Sequence, residues 1–207
     1  MTLSPPPLTD LRVSTRVSAM DESPRGRILQ AAARLFGSRG FGRTTVRELA
    51  AEVGIQSGSL FHHFKSKDEI LEAVMVEVIE LNTGRMLAAL AHACDPLERL
   101  RVLLRCEINS ITGDTRRAMS LLVNEWNSLD AAAQARVLVL RDRYEKLFLD
   151  AIADAANSLV EVEPFILRRL IYGVHAGLRT WFNPDGALSR DDLVELVMQL
   201  VSRKAPS

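Results

Sequence analysis

Residues 45–64 read TVRELAAEVGIQSGSLFHHF, and the spacing inside this stretch decides the fold. A helix-turn-helix needs a small residue where its second helix packs closely on the first. It also needs a turn residue tolerant of positive φ four positions later, and apolar residues that pin both helices. Ala50, Gly54 and the trio Leu49, Ile55 and Leu60 stand at those offsets. Thr45 and Glu48 form a capping-box pair ahead of the apolar stripe Val46, Leu49, Ala50 and Val53. Beyond Gly54 a very short helix over 57–64 turns Gln56, Ser57, Gly58 and Ser59 toward solvent, with His62 and His63 after them. Short side chains there let a helix sink into the major groove of double-stranded DNA, where hydroxyls and amides meet base edges. The same spacing also suits a tight helical corner inside a bundle.

Outward from this stretch the period stays helical. Upstream, Ser23 and Pro24 supply an N-cap and a first-turn proline. Ile28, Ala31, Ala32, Leu35 and Phe36 then give one apolar face, closed by Gly37, Gly40 and Gly42. Downstream, Ser66 and Glu69 read as a second capping box, opening a long helix through Ile70, Leu71, Val74, Val78 and Leu81. Further helices are expected from Asp95, over 116–126, over 130–158, from Pro164 to about 182, and from Ser189 to about 203. No stretch alternates with period two for long and no internal repeat stands out. The expected fold class is all-α, with about nine helices.

Composition excludes several classes. The 207 residues are 47% hydrophobic and 25% charged, an ordinary globular balance with enough apolar side chains for a core. Cys94 and Cys106 are the only cysteines, so a disulfide framework does not organise the chain, and a reducing, cytoplasmic setting fits. The first 20 residues carry no apolar signal core, and no window approaches the roughly 18 unbroken apolar residues of a membrane span. The chain is therefore expected to engage no membrane. Lys and Arg total 26, as do Asp and Glu. Residues 1–70 nevertheless hold 10 basic against 7 acidic side chains, a net of +3, and the remainder 16 against 19, a net of −3. Residues 1–22, with Pro5, Pro6 and Pro7 and no helical period, read as a mobile tail.

Other chemistries fit poorly. Neighbouring His62 and His63 diverge by about 100° on a helix, and neither a thiol nor a carboxylate completes a ligand set there. His92, Cys94 and Cys106 make no metal-binding pattern. The glycines at 37, 40 and 42 lie between helices and not after a strand, which argues against a nucleotide loop. No nucleophile, base and acid stand together. No metal, cofactor or enzymatic activity is expected.

Residues 23 to about 74 resemble the DNA-binding domain of TetR-type transcriptional regulators. The matching pieces are FGSRGF at 36–41, TTVRELA at 44–50, VGI at 53–55, GSLFHHF at 58–64 and KSK at 65–67. The resemblance implies a cytoplasmic homodimer that binds a palindromic operator through its first domain, here 23–70. It implies a helical ligand-binding and dimerisation domain, here 71–207, whose small-molecule effector usually releases the DNA. DPLERL at 95–100 and WFNPDG at 181–186 are similar to the subgroup holding the mycobacterial repressors of sterol-ring catabolism, which answer acyl-CoA thioesters. A hydrophobic acid or its CoA thioester is therefore the expected effector.

Residue roles follow. Gln56, Ser57, Gly58, Ser59 and His62 are the base-edge candidates, joined by Arg47, which matches a family position able to reach a guanine or is a solvated surface arginine. Phosphate candidates are Arg43, Thr44, Thr45, His63, Lys65 and Lys67. Lys67 sits in a helical first turn that disfavours cations, a cost a bound phosphate would offset. Phe61 replaces the tyrosine commoner in the family and is expected to pack. Met119, Leu122, Trp126, Phe148, Phe165 and Tyr172 are candidates to line an effector cavity or are core, with Arg179 placed to meet an anionic group or solvent. Gly173, Ala176, Gly177, Trp181, Leu193, Leu196, Val197 and Leu200 fit a dimer interface built from the last two long helices, or packing within one chain. Rival readings are an activator of the same fold, a helical protein or enzyme acting on CoA thioesters without DNA, and a helix-turn-helix that binds another protein.

Overall fold

The computed structural model describes residues 22–203. The expected tail over 1–22 therefore lies, apart from Glu22, outside the described residues. Nine α-helices follow in order among the described residues: α1 (Pro24–Arg39), α2 (Val46–Val53), α3 (Ser57–Leu60), α4 (Lys67–Leu90) and α5 (Pro96–Thr112). After these come α6 (Arg116–Asn124), α7 (Ala131–Asp154), α8 (Pro164–Trp181) and α9 (Arg190–Val201). No strand forms among them, and the all-α expectation holds.

Side chains written into the sequence start most of these helices. The Ser23 hydroxyl accepts the Gly26 N–H at 3.0 Å, and Asp95 accepts from Leu97 and Glu98. Asp130 caps α7 through Ala133, and Ser189 with Asp192 makes a full capping box on α9. Each satisfies donors that the first turn leaves without an intrahelical acceptor.

Three boundaries and one cap differ from the sequence reading. α3 stops at Leu60, and the chain goes on in i→i+3 bonds, such as His62 N–H to the Ser59 carbonyl. Gly58 and two serines are weak helix formers, and no side chain caps the start, so only one turn survives. The Ser66 hydroxyl does accept the Glu69 N–H, but the Glu69 carboxylate bonds the Lys65 N–H at 2.6 Å, one residue short of a reciprocal box. α6 and α7 end early, at Asn124 and Asp154, each followed by a separate 3₁₀ turn, Trp126–Ser128 and Ala156–Ser158.

One apolar core runs through the described residues, from Ile28 on α1 to Val201 on α9. α5 lies at its centre, with α4, α6, α7, α8 and α9 all packed against it. α1 packs on α2, α4 and α6. Gly37 permits the last of these contacts, since a Cβ there would stand 3.3 Å from the Arg117 Cβ. α4 continues unbroken from the helix-turn-helix into the larger helical part, so the two share a rigid element.

Candidate nucleic-acid interface and effector cavity

α2 is aimed by its ends. At its start the Thr45 hydroxyl accepts the Glu48 N–H, while the Glu48 carboxylate accepts both the Thr45 N–H (2.7 Å) and hydroxyl (2.9 Å). These bonds, with Arg39 beside them at 3.1 Å, hold the Glu48 carboxyl below its ordinary value. At its end Gly54 takes φ 77°, which an L side chain rarely adopts, and its N–H returns to the Ala50 and Ala51 carbonyls. The chain thereby swings so that Leu60, fully buried, pins α3 to the core.

What α3 leaves outside is polar and uncommitted. Gln56 and Gly58 are exposed, Ser57 and Ser59 half-buried, and His62 and His63 exposed. Arg47 is exposed in the first turn of α2. Among the described residues, none of these side chains makes a hydrogen bond or ion pair. Gly58 has negative φ and open space where a Cβ would stand, so nothing inside the protein requires a glycine there. Phe61, expected to pack, is 53% exposed on the same surface, in the turn that follows α3. Its position in a family motif hid that outcome.

Three phosphate candidates are corrected. Thr44 is buried, its hydroxyl donating to the Gly40 carbonyl at 3.0 Å. Thr45 spends its hydroxyl and N–H on Glu48, as above. Lys67 turns inward: its Nζ donates to the Phe41 and Thr44 carbonyls, both at 3.0 Å, and lies 4.2 Å from the centre of the Phe41 ring. Those two carbonyls supply the negative partner that the helix start denies it. Arg43, His63 and Lys65 stay exposed, with only the Arg43 Nε bonded, to the Arg39 carbonyl.

The helical part holds a partly open cavity of about 80 Å³ between α4, α5, α6, α7 and α8. Its apolar wall includes Ile79, Ile111, Met119, Leu122 and Val123, and its polar wall Glu107, Tyr144, Tyr172, His175 and Arg179. Met119, Leu122, Tyr172 and Arg179 line it as expected. Trp126, Phe148 and Phe165 do not. Phe148 is core, with the Arg168 guanidinium 3.8 Å above its ring. Trp126 sits in the 3₁₀ turn under Arg141, and half-exposed Phe165 faces out beneath Arg169. A more open cleft shares Ile111 and Arg179 with the cavity and adds Arg116, Arg117 and Ser120.

The polar wall is the feature that sequence reasoning missed. Buried Glu107 receives both Arg168 terminal nitrogens (3.0 and 2.8 Å), the Tyr144 hydroxyl (3.2 Å) and His175 Nδ1 (2.5 Å). Arg168 also binds Glu145 at 2.7 and 2.9 Å. Burial pushes the Glu107 carboxyl up, but the Arg168 charge and the His175 contact outweigh it and set it at about 2. Burial, then the Glu107 charge, pushes the Tyr144 phenol up. Glu107 and His175 occur at helical-core spacing, so only a polar residue on an otherwise apolar face could have flagged them.

The dimer candidates divide. Gly173, Trp181, Leu196 and Leu200 are exposed. Leu193 and Val197 are corrected to core, since α9 turns them toward α5. Ala176 lines the cavity, and half-buried Gly177 lies under Trp181. Ile166, Leu170 and Val174 extend the exposed α8 stripe at i, i+4 steps, a pattern readable in the sequence but overlooked.

α6 joins the two regions. Met119, Leu122 and Val123 form cavity wall, while Arg117 seats Gly37 of α1. Glu125, just past α6, accepts the Phe41 N–H at 3.0 Å in the loop ahead of α2.

The family of bacterial regulatory proteins, tetR family, matches residues 28–74, and the tetracyclin repressor-like C-terminal domain matches 93–205, more than half of the chain. The chain belongs to the TetR family. The transcriptional repressor KstR2 of Mycolicibacterium smegmatis is 29% identical over 184 residues, covering 86% of this chain and 89% of the relative. A solved structure of superantigen PfiT is 49% identical, with a TM-score of 0.78, covering 89% of this chain and 98% of that one. AibR, solved with isovaleryl coenzyme A and operator DNA, is 25% identical with a TM-score of 0.75, covering 84% and 95%. In this TetR-family chain the helix-turn-helix therefore occupies the α1–α4 region and the cavity the C-terminal domain. No helix among the described residues is long and apolar enough to cross a membrane.

Proposed function

We propose that the chain is a cytoplasmic, homodimeric repressor that grips a palindromic operator with α2 and α3. A small hydrophobic or acyl-CoA-type effector entering the C-terminal cavity releases it. The observation that carries the DNA reading is the uncommitted polar surface of α3 around a glycine with no internal purpose. A glycine there lets the backbone approach a groove floor, where Arg47, Gln56, Ser57, Ser59 and His62 meet base edges. Phe61 adds apolar area suited to a thymine methyl, and Arg43, His63 and Lys65 meet phosphates.

The exposed apolar residues Ile166, Leu170, Val174 and Trp181 on α8, with Leu196 and Leu200 on α9, are the proposed face between two copies. For the effector, the support is the cavity itself, the arginine-lined cleft beside it, and the acyl-CoA and DNA found with AibR. Release requires a ligand that binds the DNA-incompetent arrangement better than the competent one. α6 is the element able to carry that preference, since it forms the cavity wall and seats α1. The role proposed is regulatory, in line with the transcriptional regulators to which the chain is similar.

Selection of binders from random duplex DNA at fixed salt, with protein of measured oligomeric state, tests this. The expected result is an enriched palindrome with half-sites about one helical turn apart. The 49% identity to superantigen PfiT favours a second reading, engagement of another protein. A folded dimer that enriches no sequence would move that reading ahead.

A further inference from the structure

Among the described residues that line the cavity, His175 carries the one buried side-chain atom without a hydrogen-bond partner. Its ring is 1% exposed, and Nδ1 bonds the Glu107 carboxylate at 2.5 Å. Nε2, on the opposite edge of the ring, is buried with no partner. Glu107 cannot relieve it, because Arg168, Tyr144 and His175 Nδ1 already fill both carboxylate oxygens. The rest of the cavity wall near α6 is apolar: Met119, Leu122 and Val123. A buried polar atom without a partner is unfavourable and is rare in native interiors. His175 lines the cavity, so a ligand there relieves the atom if it brings a matching group within hydrogen-bonding reach of Nε2.

We infer that His175 Nε2 is the recognition point for a hydroxyl or carbonyl oxygen on the inner end of an otherwise apolar ligand. This rests on reading the cavity as the effector site and adds which end of the effector enters first and what it must carry. The ionised Glu107 accepts from Nδ1, which orients the ring and fixes where the proton on that side sits. A neutral ring then accepts at Nε2 from a hydroxyl, and a charged ring donates to a hydroxyl or a carbonyl. A cavity of about 80 Å³ suits a small branched or cyclic group at that inner end. Arg179, shared with the outer cleft, leaves any anionic part of the ligand at the mouth.

The test uses the full chain labelled with ¹⁵N histidine and three probes of one size: cyclopentanol, cyclopentanone and cyclopentane. Only four histidines are present, so the His175 Nε2 resonance can be assigned by elimination, with His62→Gln, His63→Gln and His92→Gln made at exposed positions. Cyclopentanol, cyclopentanone or both should bind about tenfold more tightly than cyclopentane and move the Nε2 resonance, leaving His62, His63 and His92 unmoved. His175→Phe should bind cyclopentane and lose the preference for oxygen. The resonance shift in the unsubstituted chain stands even if that variant fails to fold. Equal binding of all three probes, or oxygenated binding with an unmoved Nε2, overturns the role of His175 and leaves the cavity a ligand site. No binding by any probe up to its solubility removes the cavity as a ligand site and the inference with it.

Discussion

On α2 and α3, Arg47, Gln56, Ser57 and Ser59 hold their polar groups at the surface without a described protein partner. In the C-terminal domain Glu107, Arg168 and Tyr144 bury theirs and satisfy them on one another. The first set is positioned by neighbours within a few residues: the Thr45–Glu48 box, the left-handed Gly54 and the buried Leu60. The second set is joined across helices, with partners of Glu107 lying 37, 61 and 68 residues away. Polar groups held locally and left unspent are available to an outside partner. Polar groups spent on distant helices hold the fold together, and within the cluster of Glu107, Arg168, Tyr144 and His175 the atom left without a partner is His175 Nε2.

Substitutions should separate the two regions by what they damage. Glu107→Ala leaves Arg168 with Glu145 alone, takes the acceptor from Tyr144 and His175, and should cost about 3–5 kcal/mol in urea unfolding. A loss below about 1 kcal/mol would show that the buried cluster does not hold the helices. The same carboxylate makes stability fall in acid. Its folded value of about 2 lies below its ordinary 4.5, so its contribution is full above about pH 4.5 and drains as pH falls toward 2. Urea midpoints measured down that range should fall less steeply for Glu107→Gln than for the unsubstituted chain.

On the recognition surface the pattern should invert. Arg47→Ala and Ser59→Ala should leave stability within about 0.5 kcal/mol, yet weaken discrimination at the bases they read by about 1–3 kcal/mol. Competition binding against operators changed one base pair at a time measures this, and unchanged selectivity in both removes them from base contact. Lys67→Met stands between the regions. It strips two carbonyls of their donor and should lower stability by about 1 kcal/mol, with the salt dependence of DNA binding unaltered. A salt slope flatter by about 1 would return Lys67 to the phosphates. The smallest effect is expected at Glu125→Gln, which keeps the fold. A weakened bond to the Phe41 N–H should loosen the link between effector and operator, read as a smaller change in operator affinity when effector binds.

The local signals were legible because they lie within one or two helical turns. Ser23 with Pro24, Thr45 with Glu48, Asp95 and Ser189 start their helices as read, and the small polar face of α3 is where its spacing puts it. The failures share a cause too. Thr44 and Lys67 carry the right chemistry for phosphate, but their partners are backbone carbonyls brought close by the α1–α2 loop. Phe148, Leu193 and Val197 are apolar at helical spacing, and spacing does not say which of two packed faces is cavity, core or exterior.

By itself the sequence determined an all-α chain, the helix-turn-helix and the residues that face out of it. Periodicity, caps and one positive-φ glycine act over distances that the chain carries along its own length. Only the tertiary structure decided that Glu107, Arg168, Tyr144 and His175 meet, and that α6 serves both the cavity and α1. Those contacts depend on how α5 is surrounded by five other helices, and ionisable residues far apart in sequence leave no periodic trace of that meeting.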